Sequence, residues 1–162
     1  MFRALVLSDS HRDYFSLAEA LRLHREADAV FFLGDGENDL KMTSVEKELA
    51  DKKFTAVCGN CDFYSELPKE VLLPLSGKIF LALHGHTRFV KNGLQMLLEA
   101  AHESGADIVL YGHTHIPRAE RLDGIWFLCP GSIREGSYGI VDITDKGEVL
   151  CFTANLRKDN NI

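Results

Sequence analysis

Phe2-Arg3-Ala4-Leu5-Val6-Leu7 runs without a break into Ser8-Asp9-Ser10-His11. A run that is apolar apart from Arg3 fits a strand buried on both faces, as in a parallel sheet. Polar and ionisable residues follow at its carboxyl end, the edge at which open α/β sheets bind their ligands. The same junction recurs along the chain. Ala29 to Leu33 runs into Gly34-Asp35, and Phe54 to Val57 into Cys58-Gly59-Asn60. Ile79 to Leu83 runs into His84-Gly85-His86, and Asp107 to Tyr111 into Gly112-His113-Thr114-His115.

Between these strands the pattern changes to a helical period. Tyr14, Leu17, Ala18 and Leu21 share one helix face, with Asp13 placed to cap it. A weaker helical pattern passes through Met42, Val45 and Leu49. Strand, helix, strand, helix, strand at these lengths implies right-handed crossovers and a parallel sheet. Val71 to Leu75 and Ile79 to Leu83 flank Ser76-Gly77 as a hairpin. A helix is expected from Asn92 to Ser104, with Leu94, Leu97, Leu98 and Ala101 on one face and Gly105 as its stop. Short strands follow at Arg118 to Leu122, Ile125 to Leu128, Gly139 to Ile143 and Val149 to Thr153, and the polar tail from Arg157 is expected to fray. Neither a repeat nor a linker interrupts the 162 residues, so one domain spanning 1–162 is expected, as two sheets with helices outside them.

Composition narrows the function. At 46% hydrophobic and 26% charged residues the chain has the means to build an ordinary globular core. A net charge of -6 argues against a broad nucleic-acid-binding surface, although bound metal ions can supply local positive charge. No apolar run approaches the ~20 residues needed to cross a bilayer, and the first residues read as a strand rather than a leader. Of the cysteines, Cys58 and Cys61 form a Cys-x-x-Cys, but Cys129 and Cys151 do not supply a second pair for a zinc site, and the motif ends a strand rather than opening a helix. A reduced, cytoplasmic protein is the plainer reading.

Taken singly, the loop residues are ambiguous. Asp9 reads equally as a helix cap, Gly34-Asp35 as turn chemistry and His84 as a core histidine. Gly112-His113-Thr114-His115 is stronger, because two histidines two apart between glycine and proline have few structural uses. Five of the 7 histidines fall in these loops, leaving His24 and His102 on helices. Imidazole, carboxylate and amide oxygen together suit Mn, Fe, Zn or Ni. The candidate ligands Asp9, His11, Asp35, Asn60, His84, His113 and His115 exceed what one metal needs and are about right for two, an arrangement suited to phosphate esters.

In this order, Asp9-Ser10-His11, Gly34-Asp35, Gly59-Asn60-Cys61-Asp62, His84-Gly85-His86 and Gly112-His113-Thr114-His115 resemble the motif set of the calcineurin-like metallophosphoesterases. The small size and Gly-Asn-Cys-Asp are similar to the compact prokaryotic, YfcE-like phosphodiesterase subgroup. The resemblance implies a four-layer α/β/β/α sandwich of two mixed sheets flanked by helices. It implies that Asp9, His11 and His115 hold one divalent ion, that Asn60, His84 and His113 hold the other, and that Asp35 bridges them with a water or hydroxide. Mn²⁺ is the expected metal, with Ni²⁺, Fe²⁺, Zn²⁺ or Mg²⁺ as alternatives. The expected reaction is hydrolysis of a small phosphodiester by in-line attack of that hydroxide, with Asp35, Asn60 and His84 nearest the chemistry.

Around these, His86 is expected as a support or substrate-facing residue, and Asp62 as the group that orients a ligand imidazole. Cys61 stands where larger phosphomonoesterases of the superfamily carry a leaving-group histidine, which favours diester or activated substrates; simple packing is its bland alternative. Cys129-Pro130-Gly131-Ser132 resembles a family segment that usually reads Asn-Pro-Gly-Ser. Arg134 either meets a phosphate oxygen or is an ordinary surface arginine, the second being the plainer reading. Rival functions are a nuclease acting on a short single strand, a phosphomonoesterase and a non-catalytic scaffold. Scaffolding relatives lose ligand residues from the histidine motifs, whereas this chain keeps the set. No membrane partner is expected, and the family includes homo-oligomers.

Overall fold

The computed structural model describes residues 1–159. Strand β1 (Phe2–Leu7) leads to helix α1 (Tyr14–Leu23), then β2 (Ala29–Phe32), two short helices α2 (Glu37–Leu40) and α3 (Thr43–Leu49), and β3 (Lys53–Ala56). The hairpin β4 (Glu70–Leu75) and β5 (Lys78–Leu83) follows, then α4 (Gln95–Ser104), β6 (Ile108–Tyr111), β7 (Arg118–Leu122) and β8 (Ile125–Cys129). Strands β9 (Ser137–Ile143) and β10 (Val149–Asn155) and a last turn α5 (Leu156–Asp159) complete the described chain.

The strands form two five-stranded sheets, ordered β10-β9-β1-β2-β3 and β4-β5-β6-β8-β7. Each has a parallel run, β1-β2-β3 at one side of the first sheet with antiparallel β9 and β10 beside it, and β5-β6-β8 at the centre of the second with antiparallel β4 and β7 outside it. The unbroken apolar character of β1 follows from its position. Ala4 and Val6 face the opposite sheet, where Phe31 stacks on Phe80 at 5.4 Å, while Leu5 and Leu7 pack against α1 and α3. Leu97 and Ala101 of α4 cover the outer face of the second sheet over Val109 and Phe127. The order is therefore helix, sheet, sheet, helix, the expected four-layer sandwich.

Local signals act where the sequence places them. The Asp13 carboxylate accepts from Ser16 N at 3.0 Å, and Gly105 closes α4 in a left-handed conformation. Four expectations are corrected. The helical pattern through Met42 divides into α2 and α3, because Met42 is extended and the chain turns there. The helix expected from Asn92 starts at Gln95, since Gly93 at φ 123° breaks it and the preceding residues form two 3-10 turns, His86–Arg88 and Val90–Asn92. The start of the tail is ordered, contrary to expectation: Arg157 lies in the helical turn Leu156–Asp159, and its Nη2 donates to Arg134 O at 2.9 Å. The rest of the tail, 160–162, lies outside the described residues. Strand β3 is a sheet edge with exposed Lys53 and Phe54, not a buried strand.

Candidate metal centre

The carboxyl ends of β1, β2, β3, β5 and β6 converge where the two sheets meet, and the loops that follow them crowd together. Close backbone approach makes this possible at Gly34 and Gly59. A Cβ on Gly34 would strike the Gly59 backbone, and one on Gly59 would fall on the Asp35 carboxylate. Asp9, His11, Asp35, His113 and His115 all adopt left-handed φ values between 42° and 70°, a conformation that non-glycine residues adopt only when their surroundings enforce it. Sharp turns of this kind let a short loop fold its side chain back over the end of its own strand.

All seven candidate ligands meet there. Asp9 Oδ1 lies 3.0 Å from His115 Nε2 and 3.5 Å from His11 Nε2, and the two imidazole nitrogens are 3.2 Å apart. Beside this trio, His84 Nε2 lies 3.0 Å from Asn60 Oδ1, 3.2 Å from His113 Nδ1 and 3.3 Å from Asp35 Oδ2. Asp35 Oδ2 is also 3.7 Å from His11 Nε2, so one oxygen stands between both groups. Two atoms each ~2.1 Å from the same ion lie ~3.0 Å apart at a right angle and ~3.4 Å apart at a tetrahedral angle, the spacing seen here. Two trios, Asp9-His11-His115 and Asp35-His84-His113, meet the geometry of a cation site, as does His11-Asp35-Cys61.

The donor set fits cations for a second reason. His84 is fully buried, and its Nδ1 lies 2.7 Å from Leu33 O, which can only accept. In the neutral ring Nε2 therefore presents a lone pair to an amide oxygen, a carboxylate and a second imidazole. Burial pulls the His84 pKa down, but the Asp35 hydrogen bond and the charges of Asp9 and Asp35 outweigh it and hold the pKa above its ordinary value. Asp35 moves the other way: burial raises its pKa, yet His84, the Cys61 N–H and His11 bring it well below the carboxylate range. His113 is pushed down to about 4 by burial and by the charges of His84 and Lys91, which keeps its ring available as a neutral ligand.

Each carboxylate is divided between support and site. Asp9 Oδ2 accepts from the Ser8 hydroxyl at 2.5 Å and from His113 N at 3.1 Å, leaving Oδ1 to the histidines. Asp35 Oδ1 accepts from Cys61 N at 2.8 Å, leaving Oδ2 to face His84 and His11. Ser132, in the segment after β8, donates to Asp9 O at 2.7 Å. Ser8 is a support that sequence reasoning did not single out, as is Asp39, which binds the Ser10 hydroxyl and Arg12 N, while Ser132 belongs to the Cys129-Pro130-Gly131-Ser132 segment, whose resemblance to the family gave it no role.

Asp62 corrects an expectation. Rather than orienting an imidazole, it accepts four backbone N–H groups: Asp35 and Gly59 on Oδ2, Gly36 and Glu37 on Oδ1, at 2.7 to 2.9 Å. The carbonyl of Leu33 takes the role expected of it at His84. The His86 ring lies beside those of His84 and His113, at centroid distances of 5.4 and 6.2 Å, and burial lowers its pKa. Cys61 is exposed at the rim, with its thiol pKa raised by burial and by Asp35. Thr114 Oγ1 lies 3.4 Å from Cys129 Sγ, which ties the last histidine loop to the segment before Ser132. Arg134 is exposed on a cavity of about 750 Å³ that opens beside His11, Asp35 and Cys61.

Comparison with known proteins agrees with this architecture. The calcineurin-like phosphoesterase superfamily domain matches residues 2–146. The chain is 34% identical to the probable metallophosphoesterase YsnB of Bacillus subtilis (strain 168) over 131 residues, covering 80% of this chain and 74% of that protein. It is 29% identical to the phosphodiesterase YfcE of Escherichia coli (strain K12), with 88% of each chain covered. A conserved Streptococcus pneumoniae TIGR4 protein described as a predicted phosphoesterase superposes with a TM-score of 0.75 at 30% identity, covering 94% of this chain and 98% of its own. Motif order, paired sheets and relatives lead to one assignment: the chain belongs to the calcineurin-like phosphoesterase superfamily.

Proposed function

We propose that this chain is a phosphodiesterase that hydrolyses small diesters by in-line displacement at a centre of two divalent cations. Asp9, His11 and His115 would hold one ion and Asn60, His84 and His113 the other, with Asp35 shared. The reading rests on one observation above the rest: Asp35 Oδ2 stands between the two groups, 3.7 Å from His11 Nε2 and 3.3 Å from His84 Nε2. Bound there, two divalent ions supply a water activated near neutral pH and positive charge for the phosphoryl oxygens.

The residues set what that chemistry acts on. Asn60 offers a neutral amide oxygen, so the site keeps more of its positive charge for an anionic phosphate than a carboxylate would leave. The Leu33 carbonyl fixes the His84 tautomer, and Ser8 and the His113 N–H fix the Asp9 carboxylate. Cys61, whose raised pKa keeps it a neutral thiol, is a poor proton donor to a leaving group. Substrates that leave as stabilised anions, diesters with a good leaving group among them, suit such a site. Mn²⁺ is the metal we favour from the family resemblance, the donor set itself suiting Mn, Fe, Zn or Ni alike, and the four free cysteines favour the reducing cytoplasm.

The test is metal analysis of the untreated protein. Turnover of bis(p-nitrophenyl) phosphate, p-nitrophenyl phosphate and a short oligonucleotide then follows, with Mn²⁺, Ni²⁺, Fe²⁺, Zn²⁺ and Mg²⁺ restored in turn. Two ions per chain and preferred turnover of the chromogenic diester are expected. Protein that binds no divalent metal, or turns over no ester with any, would end the reading; preference for the oligonucleotide would make it a nuclease.

A further inference from the structure

The cavity beside His11 and Asp35 carries a feature that the metal centre does not use. Two guanidinium groups, Arg12 and Arg134, line it. Among the described residues neither has a carboxylate at ion-pair distance, whereas Arg3, Arg22, Arg88 and Arg118 each have one. Arg25, Arg121 and Arg157 have no ion pair among the described residues either, but Arg12 and Arg134 alone of these line the cavity at the metal centre. Most carboxylates on the same wall are already committed. Asp13 accepts from the Ser16 N–H and hydroxyl, Asp39 from Ser10 and Arg12 N, and Asp62 from four backbone N–H groups. Asp35 and Glu37 also line the wall, and none of these carboxylates lies at ion-pair distance from either guanidinium.

Backbone geometry makes Arg12 more informative. It sits at φ 73°, held by the bond from its N–H to buried Asp39 at 3.0 Å, in a conformation that glycine adopts without strain and arginine does not. Strain of this kind clusters at functional sites, and it fixes the direction in which the Arg12 side chain leaves the loop. The backbone that carries Arg134 is also fixed. It lies in the 3-10 turn Ile133–Glu135, whose first N–H bonds Ser8 O at 3.0 Å, and Ser132 just before it holds Asp9 O. Both arginines are thus tied through backbone to the loop that carries Asp9 and His11. Phe63, 80% exposed on the same cavity, offers a ring face to the body of a ligand.

We propose that Arg12 and Arg134 form an oxyanion clamp for a second phosphate group, so that the preferred substrates carry one phosphate at the metal centre and another in this cavity. The placement of the first phosphate rests on the function proposed above. Guanidinium groups suit the role because their planar donors match phosphate oxygens in pairs.

Calorimetry on the metal-loaded protein with adenosine 3′,5′-bisphosphate and adenosine 5′-monophosphate tests the clamp, since the two probes differ only in the second phosphate. Wild type should bind the bisphosphate about tenfold more tightly, a difference of about 1.4 kcal/mol. Arg12→Gly keeps the backbone conformation while removing the guanidinium. That variant and Arg134→Gln should each lower the ratio severalfold, and the double variant should bring it near one. A wild-type ratio near one, or a ratio unchanged in the double variant, overturns the clamp. Turnover of bis(p-nitrophenyl) phosphate by wild type judges the metal-centre reading separately. If that turnover is absent, the bisphosphate ratio and its loss in the double variant still decide the clamp.

Discussion

Replacing Asp62 by Asn should weaken both the fold and the metal centre although no ligand is removed. The Asp62 carboxylate accepts four backbone N–H groups, two on each oxygen, and these close the turn that presents Asp35 at φ 60°. An asparagine keeps one accepting oxygen and turns its NH₂ toward two N–H donors, so two charge-assisted bonds are lost. A hydrogen bond to a charged group contributes about 1.5–3 kcal/mol, and partial exposure of Asp62 favours the lower figure, giving about 3 kcal/mol for the pair. Against a total stability of about 5–15 kcal/mol this is large. For a chain of this size it corresponds to a fall in Tm of roughly 6–12 °C. Because the lost bonds hold the turn bearing the shared carboxylate, metal affinity and turnover should also fall about 10- to 100-fold, the usual effect of removing a support behind a ligand. Thermal melts with and without a chelator, together with metal analysis after dialysis, measure both effects. If Asp62→Asn melts within about 2 °C of wild type and keeps its metal, the turn does not depend on that carboxylate and the reasoning fails.

Other perturbations separate the remaining parts of the site. Asp35→Asn removes the charge shared by the two ligand groups, so metal content and diester turnover should both collapse; a variant that keeps both refutes the two-ion assignment. Cys61→His places a proton donor at the rim and should raise the ratio of phosphomonoester to diester turnover, whereas an unchanged ratio removes Cys61 from the specificity argument. Burial pushes Cys129 up to about 11 and Cys151 up to about 12, above the ordinary thiol value near 9. Between about pH 9 and 11 the unfolded chain therefore gives up protons that the folded one holds, and stability should fall by roughly 1.4 kcal/mol per thiol for each pH unit. Urea melts across that range, compared with Cys151→Ala, read the slope, and a flat profile contradicts the burial of the thiols.

The legible parts of this molecule are those where one residue type has one physical use. β1 reads correctly because a strand covered on both faces must be apolar throughout, and Asp13 and Gly105 because capping and left-handed termination select those residues. The grouping of Asp9, Asp35 and Asn60, and separately of His84 and His113, is legible because a parallel run brings its strand ends to one edge whatever the loops do; that the edges of the two sheets meet does not follow from it. What was not legible depends on backbone atoms. Leu33 O orients His84, and nothing in a leucine advertises that its carbonyl faces a ring from the opposite sheet. Asp62, two residues after Asn60, has the appearance of a site residue but bonds to a turn instead. The start of α4 is not legible for a related reason: nothing in Asn92 marks it as outside the helix, and only the conformation of Gly93 shows that the helix has not yet begun.

The same distinction explains why the centre withstands its own unfavourable contacts. Acceptors crowd around His84 Nε2, and five of the seven candidate ligands hold a strained left-handed conformation. Side-chain packing alone could not enforce this, since the loops are short and several of the rings are partly exposed. The enforcement comes from bonds that cross between loops: Asp9 N to Gly34 O, His11 N to Asp35 O, Gly112 N to His84 O and Ile133 N to Ser8 O. Each bond links the loop after one strand to that after another, so relaxing any ligand turn would break a bond in its neighbour. The turns hold one another in place, and the strain then has no local release. A centre built in this way should yield as one unit, with its loops losing amide protection together rather than one at a time.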